Sequence, residues 1–400
     1  MNKSLRSLSE ATDYYEWRQK AQDNGLGYTT SLAKYVENSG RRLYMTFVGD
    51  SPISAPVFTY QRWRKPGKPN SKLVDYTDSF VMGEDDYDEE VLQVGENIIE
   101  SHSDNPSYPA DVGTYTWNNP TYVATDIDKY TGEIEMALGY YYPLKNKSIL
   151  LEEELYRELY KAGVSPDISY SQLTTSLNRF DFEYRNSNYN SFDDVVAMKD
   201  GPYLIGSSCI VLFNTGDDEY VMPVATRSSE VSEAQGLRTP IPGGVFQPEE
   251  SDADSYPEPD NRNHILREFA ENFLEYSHKT QKEKGGSYTE LDGIKRLEKL
   301  LKDKKASLSY TATGIDCLKH YVQIYSVLVI DDPDYYNTYI PESPQTWEDK
   351  SLDFINVSDS DAIEEILNIN RLNPYHIMGV SEGLQYAEET HNVNVGIELS

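Results

Sequence analysis

The run Gly236-Leu237-Arg238-Thr239-Pro240-Ile241-Pro242-Gly243-Gly244-Val245-Phe246-Gln247-Pro248-Glu249-Glu250 decides how the chain is read. After a polar insert it continues as His264-Ile265-Leu266-Arg267-Glu268-Phe269-Ala270-Glu271-Asn272-Phe273-Leu274-Glu275-Tyr276. Pro242-Gly243-Gly244 predicts a tight turn whose backbone can approach a neighbour, because glycine has no Cβ to hold it off. From His264 to Tyr276 the pattern is helical. Ile265, Phe269 and Phe273 recur every four residues and predict a face buried against a sheet. Glu268, Glu271 and Glu275 stand at i, i+3 and i+7, so another face carries three carboxylates. A glycine turn beside such a helix can cradle a hard divalent cation and a phosphate. The same acids would equally serve as the solvated side of an amphipathic helix.

Upstream, Ile205 to Phe213 is an apolar, β-branched run, Asn214 to Asp218 reads as a turn, and Glu219 to Thr226 reads as a second strand. Gly244, five residues, Glu250, and then Arg267-Glu268-Phe269-Ala270-Glu271 resembles a stretched Nudix box. In that family the order is glycine, five residues, glutamate, seven residues, then Arg-Glu-hydrophobic-x-Glu-Glu. Two departures stand out. Sixteen residues, Ser251 to Leu266, occupy the place of seven, and Asn272 replaces the last paired glutamate with a neutral carbonyl oxygen. The fuller string is Gly206-Ser207-Ser208, Arg227-Ser228-Ser229-Glu230-Val231 and Gly244-Val245-Phe246-Gln247-Pro248. It is similar to a divergent Nudix-like module appended to actinobacterial helix-turn-helix regulators. Gly314-Ile315-Asp316 to Val327-Leu328-Val329-Ile330-Asp331 resembles a late strand of that group.

The resemblance implies an α+β chain with a Nudix-like mixed β-sheet sandwiched by helices over residues 201–345. An α+β region at 1–200 precedes it, and an extension at 346–400 packs on it. It implies a metal-dependent hydrolase of a nucleoside diphosphate-linked or related phosphorylated small molecule, using Mg²⁺ or Mn²⁺. Glu268, Glu271 and Arg267 would be catalytic, with Arg267 bracing the carboxylates through a bidentate pair, a role suited to arginine. Glu250 (or Glu249), Glu268 and Glu271 would hold the metal, and Gly243 and Gly244 would border the phosphate. Glu275 lies nearly a turn further on, where it would reach only a second metal. The loss of a carboxylate at Asn272 keeps a second reading open, a catalytically silent module that senses a ligand or binds a protein.

Composition narrows the field. The chain has 400 residues, enough for two or three domains or one elaborated domain. Its 33 tyrosines supply large half-buried bodies, which argues against global disorder despite 38% hydrophobic content. A formal net charge of −31 repels phosphate backbones, so nucleic-acid polymers and anionic membranes are expected not to be partners. That charge reads as a solvated acidic surface, or as attraction for cations or a basic partner. Cys209 and Cys317 fall in apolar runs without metal or disulfide spacing, and no apolar segment follows the first residues. The expectation is a cytoplasmic protein, with a homo-oligomer or protein partner left open.

The remaining chain predicts helices within 9–38 and strands at 41–48 and 55–60. Arg62-Trp63-Arg64-Lys65 follows as an exposed basic turn, or as a phosphate contact. A solvated acidic run occupies 84–90, a helix 91–99 and a loop 104–113. A hairpin of 114–125 with 133–142 precedes a helix at 150–162. Beyond the central run, the insert 251–263 reads as a mobile loop and 291–302 as a helix. Residues 318–331 read as one strand, 332–344 as a loop, 354–358 as a strand, 362–369 as a helix and 382–391 as the last helix. The six histidines are scattered and no P-loop or dinucleotide-binding glycine pattern is present.

Overall fold

The fourteen residues from Tyr203 to Gly216 form the strand on which both halves of the chain assemble. The computed structural model describes residues 8–24, 45–48, 51–55, 57–60, 63–64, 71–73, 120–168, 182–189, 192–228, 236–248, 259–274, 276, 287–340, 349–367 and 372–399. Among these, the first half contains α1 (Leu8–Asp23), β1 (Met45–Val48), β2 (Ser51–Ser54), β3 (Val57–Phe58) and β4 (Ser71–Leu73). It continues with β5 (Pro120–Ile127), β6 (Ile134–Tyr140), α2 (Tyr141–Lys161), α3 (Glu183–Asn188) and α4 (Phe192–Val196). The second half contains β7 (Tyr203–Gly216), β8 (Glu219–Arg227), β9 (Arg238–Pro240), β10 (Gly243–Val245) and α5 (Asn261–Phe273). It ends with α6 (Asp292–Lys302), β11 (Ala306–Asp316), β12 (Val322–Ile330), α7 (Pro333–Tyr339), β13 (Asp349–Asn356), α8 (Ser360–Ile366) and α9 (His376–His391). The expectations for 84–90, 91–99 and 104–113, for Thr30–Val36, and for Glu249, Glu250 and Glu275 fall outside the described residues.

β12 runs parallel to β7 over Ile205–Phe213, and β11 and then β3 continue antiparallel beyond it. The other edge of β7 is shared. β5 takes Tyr203 and Leu204, β10 takes Gly206 to Ser208, and β8 takes Phe213 to Gly216. β6 and β4 extend the sheet beyond β5, so pairing is continuous across residue 200. The result is a mixed, 11-stranded α+β assembly with helices on both faces of its centre. Cys209, Val211, Phe213, Leu328 and Ile330 face α5, α6 and α7. Ile210, Leu212, Tyr325, Val327 and Val329 face α9. A strand covered on both faces needs apolar residues in succession rather than in alternation, as the 205–213 run has. Phe269 and Phe273 of α5 are buried as expected, each contributing roughly 1.5–3 kcal/mol of transfer free energy.

Several expectations are corrected. The strand 318–331 begins at Val322. The Asp316 carboxylate accepts the amides of Leu318 and Lys319 at 2.7 and 2.9 Å, which folds 317–321 into a turn and makes β11 and β12 a hairpin. Cys317 therefore sits in a buried turn, not in a strand. Residues 333–339 are helical rather than looped, because Asp332 caps the helix and Pro333 suits its first turn. α2 begins at Tyr141, with Pro143 tolerated in its first turn. Trp63 is buried against Phe58 and Tyr60 rather than lying in an exposed turn, and Arg64 pairs with Glu382 at 2.6 Å.

The β11–β12 turn plugs into the first half of the chain. Ser148 Oγ donates to the Lys319 carbonyl at 3.1 Å, and Lys319 Nζ lies 3.5 Å from Glu152. Arg185, 1% exposed, donates through Nη2 to the carbonyls of Leu318 (2.6 Å) and Leu151 (3.1 Å). Its Nη1 lies 3.3 Å from His320 Nε2, which must accept because arginine only donates. His320 Nδ1 lies 3.1 Å from the Tyr189 hydroxyl, which in turn donates to Asp200. Replacing Arg185 by Met leaves the Leu318 and Leu151 carbonyls without this donor and removes the counter-charge 3.7 Å from Glu154. The expected loss is about 3 kcal/mol in urea unfolding; a loss below about 1 kcal/mol would show that Arg185 does not hold the turn.

Candidate functional site

α5 begins where the insert ends. Asp260 caps it, accepting the amides of Arg262 and Asn263 at 2.8 and 3.4 Å. Asn261, buried in the first turn, ties the helix to the sheet. Its Oδ1 accepts from Ser207 Oγ at 2.8 Å and its Nδ2 donates to Ser326 Oγ at 3.1 Å. Ser207 and Ser326 lie on β7 and β12, so the start of α5 is pinned to both parallel strands. The helix therefore starts three residues before the expected His264.

Gly243 and Gly244 form part of strand β10 rather than a tight turn. They pair with Ser208 and Ser207, and Pro242 accepts the Cys209 amide at 3.0 Å. Close approach is nonetheless what the glycines permit. A Cβ on Gly243 would stand 3.0 Å from the Ser207 carbonyl oxygen, and one on Gly244 would stand 3.1 Å from Glu268 Oε2. The Glu268 carboxylate thus occupies the place a side chain at 244 would take. The predicted neighbours, glycine strand and acidic helix, are brought together.

Arg267 is buried, 4% exposed, and reaches along the helix. Its Nη2 lies 3.3 Å from Glu268 Oε1 and 3.0 Å from His264 Nδ1. Its Nε lies 3.9 Å from Glu271 Oε1, and Nη1 donates to the Gln247 carbonyl at 3.4 Å. The guanidinium is shared between Glu268 and Glu271. Asn272 does not face this group, because its Nδ2 donates to the Glu268 backbone carbonyl at 2.7 Å, four residues back on its own helix. Among the described residues no set of three His, Cys, Asp or Glu side chains converges as metal ligands. The two described acids supply hard oxygen donors of the kind Mg²⁺ and Mn²⁺ take, with Arg267 as their shared counter-charge. A surface depression of about 430 Å³ bordered by Arg262, Lys304 and His391 shares no residue with this group.

Sequence reasoning missed His264, Asn261 and Ser207. Arginine donates only, so His264 Nδ1 must accept and the ring proton sits on Nε2. Burial, followed by the Arg267 charge, holds the His264 pKa well below its usual range. The ring also packs edge-on against Phe246 at 5.1 Å. The signal for His264 was its position, three residues before Arg267 and four before Glu268, which places all three on one helix face.

No protein-family model matches this chain, and no curated protein matches its sequence. No helix among the described residues is long and apolar enough to cross a membrane.

His264 gives the site a pH dependence of definite sign. The unfolded imidazole takes a proton below about pH 6.5 while the folded one does not, so stability falls as pH drops through that value. Between about pH 7 and about pH 5 this group should cost about 2 kcal/mol. His264→Gln keeps an acceptor for Arg267 and should flatten the pH dependence by that amount in urea titrations. An unchanged slope would show that His264 titrates in the folded state.

Proposed function

We propose that the chain is a Nudix-like, metal-dependent hydrolase of a nucleoside diphosphate-linked or related phosphorylated small molecule. The observation that carries the reading is Glu268 seated against Gly244, with Arg267 drawn between Glu268 and Glu271. Such a reaction needs concentrated negative charge held in fixed geometry. The pinned start of α5 and the buried guanidinium provide that rigidity, since Arg267 cannot lose its proton and can only donate. Glu268 and Glu271 would hold the Mg²⁺ or Mn²⁺ ion, which when bound neutralises charge on the phosphates and acidifies water. The missing side chain at Gly244 leaves the Glu268 carboxylate room beside the backbone, where a phosphoryl group would approach. His264 accepts from Arg267 and so helps to position it.

A second reading, a silent ligand-sensing or protein-interaction module, is favoured by Asn272. Its amide is engaged with its own helix and adds no charge to the Glu268–Glu271 pair. Product release from a panel of nucleoside diphosphate derivatives with Mg²⁺ or Mn²⁺ separates the two. For the hydrolase, Glu268→Gln and Glu271→Gln should each lower turnover on the order of 100-fold or more. Asn272→Glu should tighten metal dependence and raise turnover. Turnover that survives both glutamine variants removes these residues from the site. Melting-temperature shifts by the same compounds without product release favour the sensor.

A further inference from the structure

Strand β11 is covered on its outer edge only at its far end. β3 pairs with Ile315 and Asp316, and among the described residues no strand pairs with that edge over Ala306 to Tyr310. The ladder with β12 fixes what the open edge offers. The Asp331 amide donates to the Lys305 carbonyl at 2.8 Å, and Ala306 to Tyr310 stand opposite Ile330 to Ser326 without a slip. Antiparallel pairs alternate between bonded and unbonded, so Ser307 and Ser309 bond to β12. Ala306 and Leu308 therefore turn their N–H and C=O groups outward, where neither has a backbone partner among the described residues. An unpaired edge of this kind is a template for another strand.

The depression of about 430 Å³ follows this edge. Ala306, Ser307 and Leu308 line it, together with side chains from both faces of the sheet. On one face stand Arg262 of α5 and Lys304 of the α6–β11 turn. On the other stands His391 at the end of α9, its Nε2 2.7 Å from Ser307 Oγ. A depression that touches both faces of one strand lies along its edge. Among the described residues no acid lines it, although Glu298 lies 3.9 Å from Arg262 and Asp331 lies 3.7 Å from His391. The Arg262–Glu298 pair is nearly half exposed at both ends, so it is weak and free to reorient. Lys304 is exposed, and its side chain makes no hydrogen bond or ion pair with another described residue. Its backbone has φ 61°, and the next amide, that of Lys305, donates to Leu300 at 2.9 Å to close the helix end. Glycine is the usual residue in that left-handed position, and lysine is strained there. The turn thus holds an unpaired ammonium beside the open edge at a conformational cost.

We propose that an acidic segment of a partner protein docks here, added to the sheet as an extended strand along Ala306–Leu308 with its carboxylates against Arg262 and Lys304. Strand addition takes affinity from main-chain bonds and specificity from alternate side chains. Ala306 and Leu308 supply the main-chain groups, and the two cations select for acid. Leu301 and Leu308, both half-buried, give the intervening side chains an apolar bed. The depression is open along the strand rather than enclosed, which suits a passing chain better than a small molecule held on all sides. A net charge of −31 repels an acidic partner at a distance, but salt screens that repulsion beyond about 10 Å while the contacts act at close range. The site shares no residue with the Glu268 group and is independent of the hydrolase reading.

Fluorescence anisotropy tests this with a labelled peptide of alternating glutamate and valine, titrated with the full chain at about 0.15 M salt. Saturable binding is expected, and none by the counterpart with lysine for glutamate. N-methylation of every amide in the acidic peptide keeps its charge but removes its donors, and should abolish binding. Arg262→Gln and Lys304→Gly should each weaken binding about threefold or more, the scale of one exposed charge pair. Lys304→Gly should also melt no lower than the wild type, because glycine relieves the left-handed strain; a merely structural lysine would give the reverse. Ala306→Pro removes an outward N–H at the first residue of an edge strand, where proline is tolerated, and should abolish binding. Glu268→Gln should bind the peptide as the wild type does, which separates this edge from the hydrolase site. If Ala306→Pro does not fold, the N-methylated peptide decides on the wild type alone. No binding of the acidic peptide overturns the proposal, as does equal binding of its N-methylated or lysine form. So does a wild-type dimer in light scattering that Ala306→Pro splits, which would put a second copy of the chain on the edge.

Discussion

The parallel pairing of β7 with β12 is the constraint from which the rest follows. Nine registered residue pairs join them, and both strands are buried along nearly all of that length. A parallel pair cannot be closed by a short turn and cannot leave a face in water. The chain between them must therefore cross over, and it does so through the glycine strand, α5, α6 and β11. The opposite face is closed much later by α9. Two polar centres arise from this one requirement. In the first half of β7, the buried Ser207 and Ser208 present one hydroxyl to each covering helix.

What was legible in the sequence follows the same logic. The continuous apolar run of β7, the hairpin into β8 and the four-residue spacing of Ile265, Phe269 and Phe273 are local patterns, and each forms the element it predicts. The meeting of Gly244 and Glu268 was also legible, since a side chain is missing at one place and a carboxylate is offered at the other. What stayed hidden depends on partners distant in the chain. α9 reads poorly because Gly379 and Gly383 weaken its helical signal. In the fold they are what lets the helix lie on the sheet, where an added Cβ would come within 2.6 Å of Tyr325 and 2.5 Å of Ile210. β11 was lost because Ser307, Ser309, Thr311 and Thr313 dilute its apolar signal, and it is Asp316, by folding back on Leu318 and Lys319, that turns it into a hairpin with β12. His264 and His376 are unremarkable in sequence; each acquires meaning from a serine on β7 or an arginine one turn away.

The charge distribution reconciles a very acidic chain with cation-rich interior sites. The formal net charge is −31, and charge at a solvated surface is screened by water and salt within about 10 Å. Arg185, Arg267, Lys145 and Lys319 lie inside, where the dielectric is lower and each charge acts strongly on its few neighbours. Arg185 and Arg267 spend their donors on carbonyls, carboxylates and imidazoles that hold separate elements together. Those are joints.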